Sequence, residues 1–286
     1  MNLRQVRKKI KTIVNVRKIT KAMERVAAVK MKKSQKIALE GKPYQEALTA
    51  VIDRIIDPHF PLTSPFFKRD QPEKKQQDLY IFISSNKGLC GAFNFNLFKL
   101  AMKEIDFSKS SFIVLGKKGG LFLSKLGAKI IADFSEQLPF EENVSPIFSL
   151  IEQQFFNGWC NQVFLFYNKF ISSFRTQPVK ELLLPLTGWK EKRKQETKGS
   201  YLIEPSPKKV LNHLIVDYLQ YRIRRAILDS EASEHSARML AMKNASDNAD
   251  EIVYNLTLLR NKLRQQIITY ELLDMVTAKE ATEGET

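Results

Sequence analysis

Apolar residues recur at three- and four-residue steps from the start of the chain: Leu3, Val6, Ile10, Ile13, Val16, Ile19, Met23 and Val26. After Gly41 and Pro43 they resume as Tyr44, Leu48, Val51, Ile52 and Ile55. A narrow apolar seam among polar residues predicts one coiled-coil helix over 3–57, kinked at Gly41/Pro43. The stretch 57–78, DPHFPLTSPFFKRDQPEKKQQD, is proline-rich and charged and is predicted to be a linker. An alternation follows. LYIFISS (79–85), SFIVLG (111–116), AKIIADF (128–134) and QVFLFYN (162–168) read as strands, with helical stretches between them. This order predicts a mostly parallel sheet. VKELLLPL (179–186) reads as a fifth strand, antiparallel because little sequence separates it from the fourth. The polar stretch GWKEKRKQETKG closes the unit.

From Lys208 to Val276 there is neither Gly nor Pro. That predicts a second helix of roughly 100 Å at 1.5 Å per residue. Its seam runs through Ala232, His235, Met239, Met242, Ser246, Ala249, Val253, Leu256, Leu263, Ile267 and Tyr270. Small residues crowd its middle, and Ala27 and Ala28 of the first helix are candidates to face them. A domain of ~110 residues spans roughly 30–40 Å, so neither long helix can pack wholly on the α/β unit. The two are expected to pair with each other, antiparallel, as a rod, with residue 3 opposite residue 262. Beyond Arg264 the second helix then has no partner in its own chain. There RQQIITYELLDMV (264–276) is apolar on all sides, the mark of a helix surrounded by other protein. Left alone in water, this tip is expected to fray. The predicted domains are a shaft helix (1–57), a linker (58–78), an α/β unit (79–200), and a second shaft helix with its tail (201–286).

Charge sharpens this picture. Residues 1–42 carry 14 Lys and Arg against two acids, so they hold +12 of the total +15. Such an arm meets nucleic acid, lipid headgroups or an acidic protein surface, or is merely a solvated helix face. No run reaches the length of a membrane span, and no leader pattern follows the basic MNLRQVRKKI. Cys90 and Cys160 make no disulfide framework, so a reducing, cytosolic setting is expected.

The usual chemical motifs are missing. Gly116-Lys117-Lys118 and Gly41-Lys42-Pro43 both fail the phosphate-loop pattern. Gly88-Leu89-Cys90-Gly91 follows the first strand, where a dinucleotide fingerprint would lie. It lacks that spacing, however, and no acid ends the second strand, so a tight turn is the better reading. His59, His213 and His235 are scattered and set no metal spacing. Cys90 reads as a small packed residue rather than a nucleophile. No catalytic, cofactor-binding or metal residue is expected. The features left are mechanical ones: a rod, a basic arm and an apolar tip.

Four segments carry a resemblance: ITKAMERVAAVKMKKSQ (19–35), SSNKGLCGAFN (84–94), EHSARMLAMKNASDNADEIV (234–253) and NKLRQQIITYELLDMV (261–276). In order and spacing they resemble the gamma subunit of F-type rotary ATP synthases. The resemblance implies a central rotor shaft coupling ion flow to ATP synthesis. Its terminal helices would form an antiparallel coiled coil inside a ring of three alpha and three beta subunits. A Rossmann-like domain would form a foot on the c-subunit ring beside the epsilon subunit. Catalysis would lie in beta and at its borders with alpha. Met23 matches the family Met near an acidic loop of beta, and Arg238 matches the Arg of the facing helix, which the resemblance likewise implies as a contact with the alpha–beta ring. Arg264 and Gln265 match a pair that engages a catch loop on beta, and Thr269 and Glu271 the pair that follows. Lys87, Gly88, Leu89, Cys90 and Gly91 match the turn at the top of the foot. Asn86-Lys87 departs from the common Asp-Arg, and Tyr270 and Leu273 make this tip greasier than the family's Gln and Thr. The absence of a mitochondrial presequence points to the cytoplasmic face of a bacterial cell membrane, with peripheral attachment through the complex. The alternative is a basic coiled-coil protein that binds nucleic acid, which would leave the apolar tip without a purpose.

Overall fold

The computed structural model describes residues 2–55, 64–67, 77–186 and 203–283. The first helix forms as two pieces, α1 (Leu3–Glu40) and α2 (Lys42–Ile55), with a turn at Gly41 between them. A Cβ on Gly41 would lie 2.9 Å from the Tyr221 hydroxyl, so the bare glycine permits that close approach. The predicted linker lies largely outside the described residues. Its described part is not free chain, because Phe66 and Phe67 are buried in the core and the Leu186 amide donates to the Phe66 carbonyl.

The five predicted strands form as β1 (Asp78–Ile83), β2 (Ser110–Leu115), β3 (Lys129–Asp133), β4 (Gln162–Ser172) and β5 (Arg175–Leu184). Between them run α3 (Phe93–Glu104), α4 (Lys117–Lys125) and α5 (Val144–Phe156). The sheet order is β3-β2-β1-β4-β5. The first four strands are parallel and β5 is antiparallel to β4, as the short connection requires. β5 begins at Arg175 rather than Val179 because β4 and β5 extend past the core as a hairpin. Period-two alternation divides the core. Leu79, Ile81 and Ile83 face the cluster with α5, α2 and the last helix, while Tyr80 and Phe82 face the one with α3 and α4.

The last helix, α6, is unbroken from Pro207 to Glu283, seven residues past the predicted end. The chain divides into two compact units, residues 27–238 and residues 1–26 with 239–286. In the second unit the N-terminal part of α1 and the C-terminal part of α6 pair antiparallel. The Thr20 and Ser246 hydroxyls lie 2.7 Å apart in the buried seam, and Arg17 reaches Asp250 at 2.6 Å. Carried to the start of α1, this register sets Leu3 beside about residue 263, within a residue of the expected pairing.

The seam on α1 needs one correction. Val16, Ile19 and Val26 are exposed at 47%, 60% and 56%. The buried positions are Val6, Thr20, Ala27, Met31 and Ser34, with Ile10, Ile13 and Met23 half-buried. The seam keeps a seven-residue repeat, through 6, 13, 20, 27 and 34 and through 3, 10 and 31. Val16 and Ile19 follow Ile13 at three-residue steps and fall off it, and a polar pair, Thr20 with Ser246, takes the seam in their place.

Candidate functional site

In a sheet of this order the chain moves outward from β1 to β3 and returns on the other side of β1 to make β4. Doubly wound sheets hold ligands in the crevice at such a reversal, beyond the carboxyl ends of the strands. Here the turn after β1 and the β4–β5 hairpin meet α6 instead. Ser233 donates to the Asn168 carbonyl at 3.0 Å, and Ser236 donates to the Ser173 carbonyl at 2.6 Å. Arg238 donates from Nη2 to the carbonyls of Lys87 and Gly88, each at 3.3 Å. Further back along α6, Arg222 reaches Glu181 at 2.7 Å and the Leu182 carbonyl at 2.8 Å. The small residues of α6 were expected to admit another helix. Ser233 and Ser236 instead admit the β4–β5 hairpin.

The turn after β1 is held on all sides. The Asn94 side chain accepts from the Ser85 amide and donates to Ser85 Oγ and Cys90 Sγ. Ser85 Oγ donates to the Lys87 carbonyl at 2.9 Å. Gly91 takes a φ of 55°, open to a residue without Cβ. Leu89 takes a φ of 61°, which is costly for an L side chain, and that side chain is 63% exposed. Cys90 is buried, and burial raises its thiol above the ordinary value, the reverse of an activated nucleophile.

The amides that could cradle a phosphate at the start of α4 already have partners in this chain. The Lys117 amide donates to Asn86 Oδ1, the Lys118 amide to the Ser85 carbonyl, and the Gly119 amide to Ser84 Oγ at 2.7 Å. A Cβ on Gly116, where φ is 105°, would lie 2.2 Å from the Ser84 carbonyl oxygen. The β1 and β2 loops are packed backbone to backbone there.

The residues singled out from sequence fall in three places. Lys87 to Gly91 and Arg238 come together in residues 27–238. Arg238 is 9% exposed and both of its Nη atoms have partners within the chain: besides the two carbonyls, Nη2 reaches Glu234 at 2.6 Å and Nη1 lies 3.3 Å from His235 Nδ1. Burial raises the Glu234 carboxyl above its ordinary value despite the pull of Arg238. Burial, with Arg238 beside it, pushes His235 down to about 4, so a neutral ring can accept from Arg238. Met23 is half-buried on the shaft pair. Arg264, Gln265, Thr269 and Glu271 are all exposed on α6, and Thr269 donates to its own helix at the Gln265 carbonyl. Around them Ile267, Ile268, Tyr270, Leu272, Leu273, Met275 and Val276 are exposed as well. Among the described residues no acidic, His or Cys group is set to hold a metal, and no helix is long and apolar enough to cross a membrane.

A family profile described as ATP synthase matches residues 2–282. The ATP synthase gamma chain of Glaesserella parasuis serovar 5 (strain SH0165) is 36% identical, over 97% of this chain and 98% of its own length. That of Aromatoleum aromaticum (strain DSM 19018 / LMG 30748 / EbN1) is also 36% identical with the same coverage. The chain belongs to the ATP synthase gamma-chain family. Solved structures agree on the fold. A chain of the Euglena gracilis mitochondrial ATP synthase, determined as OSCP, F1 and c-ring, superposes with a TM-score of 0.65 at 19% identity, covering 98% of this chain and 94% of that one. A chain of the central stalk and c-ring of the Tetrahymena thermophila enzyme superposes with a TM-score of 0.55 at 26% identity, covering 80% and 99%. Gamma-chain membership leaves the nucleic-acid alternative without support.

Proposed function

We propose that this chain is the rotor shaft of an F-type ATP synthase, a non-catalytic subunit that carries rotation between a membrane ion-driven c ring and the alpha–beta catalytic ring. The observation that carries this is what fills the switch-point crevice. Where a doubly wound sheet would hold a nucleotide, this one holds its own long helix, and the nearby phosphate-type amides are paired internally. The chain thus has the scaffold of a nucleotide-binding domain with a mechanical element in the ligand's place. The apolar tip of α6 suits a sleeve of apolar side chains supplied by alpha and beta. The basic arm suits acidic loops on beta, where screened charge attracts without locking one angle. Met23, Arg264, Gln265, Thr269 and Glu271 are the proposed contacts with that ring. The α/β unit would rest on the c ring beside epsilon, peripheral to the membrane on its cytoplasmic face.

The test is purification of the tagged chain from its own cells, followed by ATP-driven ion pumping. Alpha, beta, epsilon and the c ring should copurify. A disulfide between Ile19→Cys on the exposed side of α1 and a beta subunit should stop turnover, and a reductant should restore it. Full turnover with that crosslink in place would rule out rotation. Saturable binding of micromolar ATP to the chain alone would rule out the non-catalytic role.

A further inference from the structure

Fixing angle between two elements requires directional contacts. Apolar packing of Ile215, Leu219, Ile223 and Ile227 against the sheet holds α6 down but is non-directional. Hydrogen bonds have preferred lines. Ser233, Ser236 and Arg238 all send theirs to main-chain carbonyls, on the β4–β5 hairpin and on the turn after β1, whose positions do not depend on a rotamer. Arg238 joins the turn after β1 to α6 through two adjacent carbonyls. Its guanidinium is set by Glu234 one turn back and by His235. The turn it grips carries Leu89 in the left-handed region, a conformation that persists only where its surroundings impose it.

We propose that Arg238, with Ser233 and Ser236, forms the torque joint of the rotor, a set of positioning residues that fixes the angle between α6 and the sheet, Arg238 through the Lys87–Gly91 turn and the two serines through the β4–β5 hairpin. This rests on the rotor reading above. The joint touches no reacting atom. It removes slack, so that rotation of the α/β unit reaches α6 as rotation rather than as local bending.

The experiment uses the assembled complex in sealed vesicles. It reads ions pumped per ATP hydrolysed, first without and then against an opposing gradient, so a change in hydrolysis rate alone does not count. Arg238→Ala should lower that ratio about two-fold or more, with the larger loss under load. Arg238→Lys should recover part of it, because an ammonium keeps the Glu234 pair but lacks the planar fork. Amide exchange over residues 86–92 in the complex should be roughly tenfold faster in Arg238→Ala. The inference is overturned if Arg238→Ala pumps as many ions per ATP as wild type under full load, or if exchange over 86–92 is unchanged. A loss of assembly and rate in Arg238→Ala and Arg238→Lys alike, with the ratio intact, would make Arg238 merely structural and equally overturn it. Should Arg238→Ala fail to assemble, the Ser233→Ala/Ser236→Ala double variant carries the test, since it leaves no charge unpaired. A reduced ratio there supports the joint, and an unchanged ratio rejects it. If the wild-type chain is absent from a pumping complex, it is the rotor reading that falls.

Discussion

Glu231 lies on α6 two residues before Ser233, and burial raises its carboxyl from 4.5 to about 7. Glu141 and Glu234 push in the same direction, while a Ser34 hydrogen bond and Lys30 oppose them. The raised value has a definite sign in stability. Below pH 4.5 Glu231 is protonated in folded and open chain alike and contributes no difference. As pH rises towards 7 the open chain sheds its proton first, so folding is progressively penalised, and above 7 the penalty is constant. At about 1.4 kcal/mol per pH unit the rise amounts to about 3 kcal/mol at pH 8, or about 2–3 kcal/mol allowing for residual solvent access. Glu231→Gln keeps the shape and a group able to bond Ser34, and removes the charge. Its effect on local opening is read by amide exchange along residues 226–240 in the assembled complex. Exchange should slow by roughly 30- to 100-fold at pH 8, and the gain should fall to less than half, in free energy, at pH 5.5. His235, lowered to about 4, works in the other direction: it favours the folded state as pH rises from 4 to 6.5. The variant isolates the carboxylate because His235 is unchanged in it. A gain of equal size at both pH values, or none at pH 8, would refute the burial explanation.

Three other outcomes follow from the geometry. Gly116→Ala places a Cβ 2.2 Å from the Ser84 carbonyl oxygen at a positive φ, so it should cost roughly 3 kcal/mol or more, seen as loss of the chain from purified complex. Ser246→Leu overfills the seam opposite Thr20 and should cost roughly 1–3 kcal/mol; a melting temperature within a degree or so of wild type would count against the close pairing. Ile268→Asp with Leu272→Asp should lower complex yield and thermal stability more than truncation at Gln266 does, because it forces unpaired charge into the proposed apolar sleeve. Assembly of that double variant as well as wild type would leave the exposed apolar tip unexplained.

Period and punctuation made most of the fold legible. The five strands, the antiparallel last pair, the Gly41 break and the register of the shaft helices all follow from alternation, breakers and helix rise. Two things were hidden. Val16 and Ile19 fit the predicted seam by residue type, yet the structure turns them out and buries Thr20. Apolar type cannot distinguish them, because Thr20 is favoured only once Ser246 lies opposite to share its hydroxyl. The clamp on the Lys87–Gly91 turn was also hidden. Arg238 is marked by resemblance alone, as a contact outward, and its acceptors are main-chain carbonyls about 150 residues away, which no side-chain pattern records. The sequence does carry one trace of that contact. Ala226, Ser230, Ser233 and Ser236 recur on one helical face, signalling a close approach without saying to what.

That close approach separates this domain from a nucleotide-binding one of the same topology. In the latter, free amides and a glycine-rich turn at the strand ends wait for an anion. Here the amides at the start of α4, Lys117, Lys118 and Gly119, are paired within the chain, and carbonyls at Lys87, Gly88, Asn168 and Ser173 are engaged as acceptors. A carbonyl acceptor attracts a donor such as Arg or Ser and repels a phosphate. What the crevice presents to α6 is therefore of the wrong sign for a nucleotide and the right sign for a helix bearing Ser233, Ser236 and Arg238. Exchanging one occupant for the other needs no change in strand order, only a change in which backbone groups the loops turn inward.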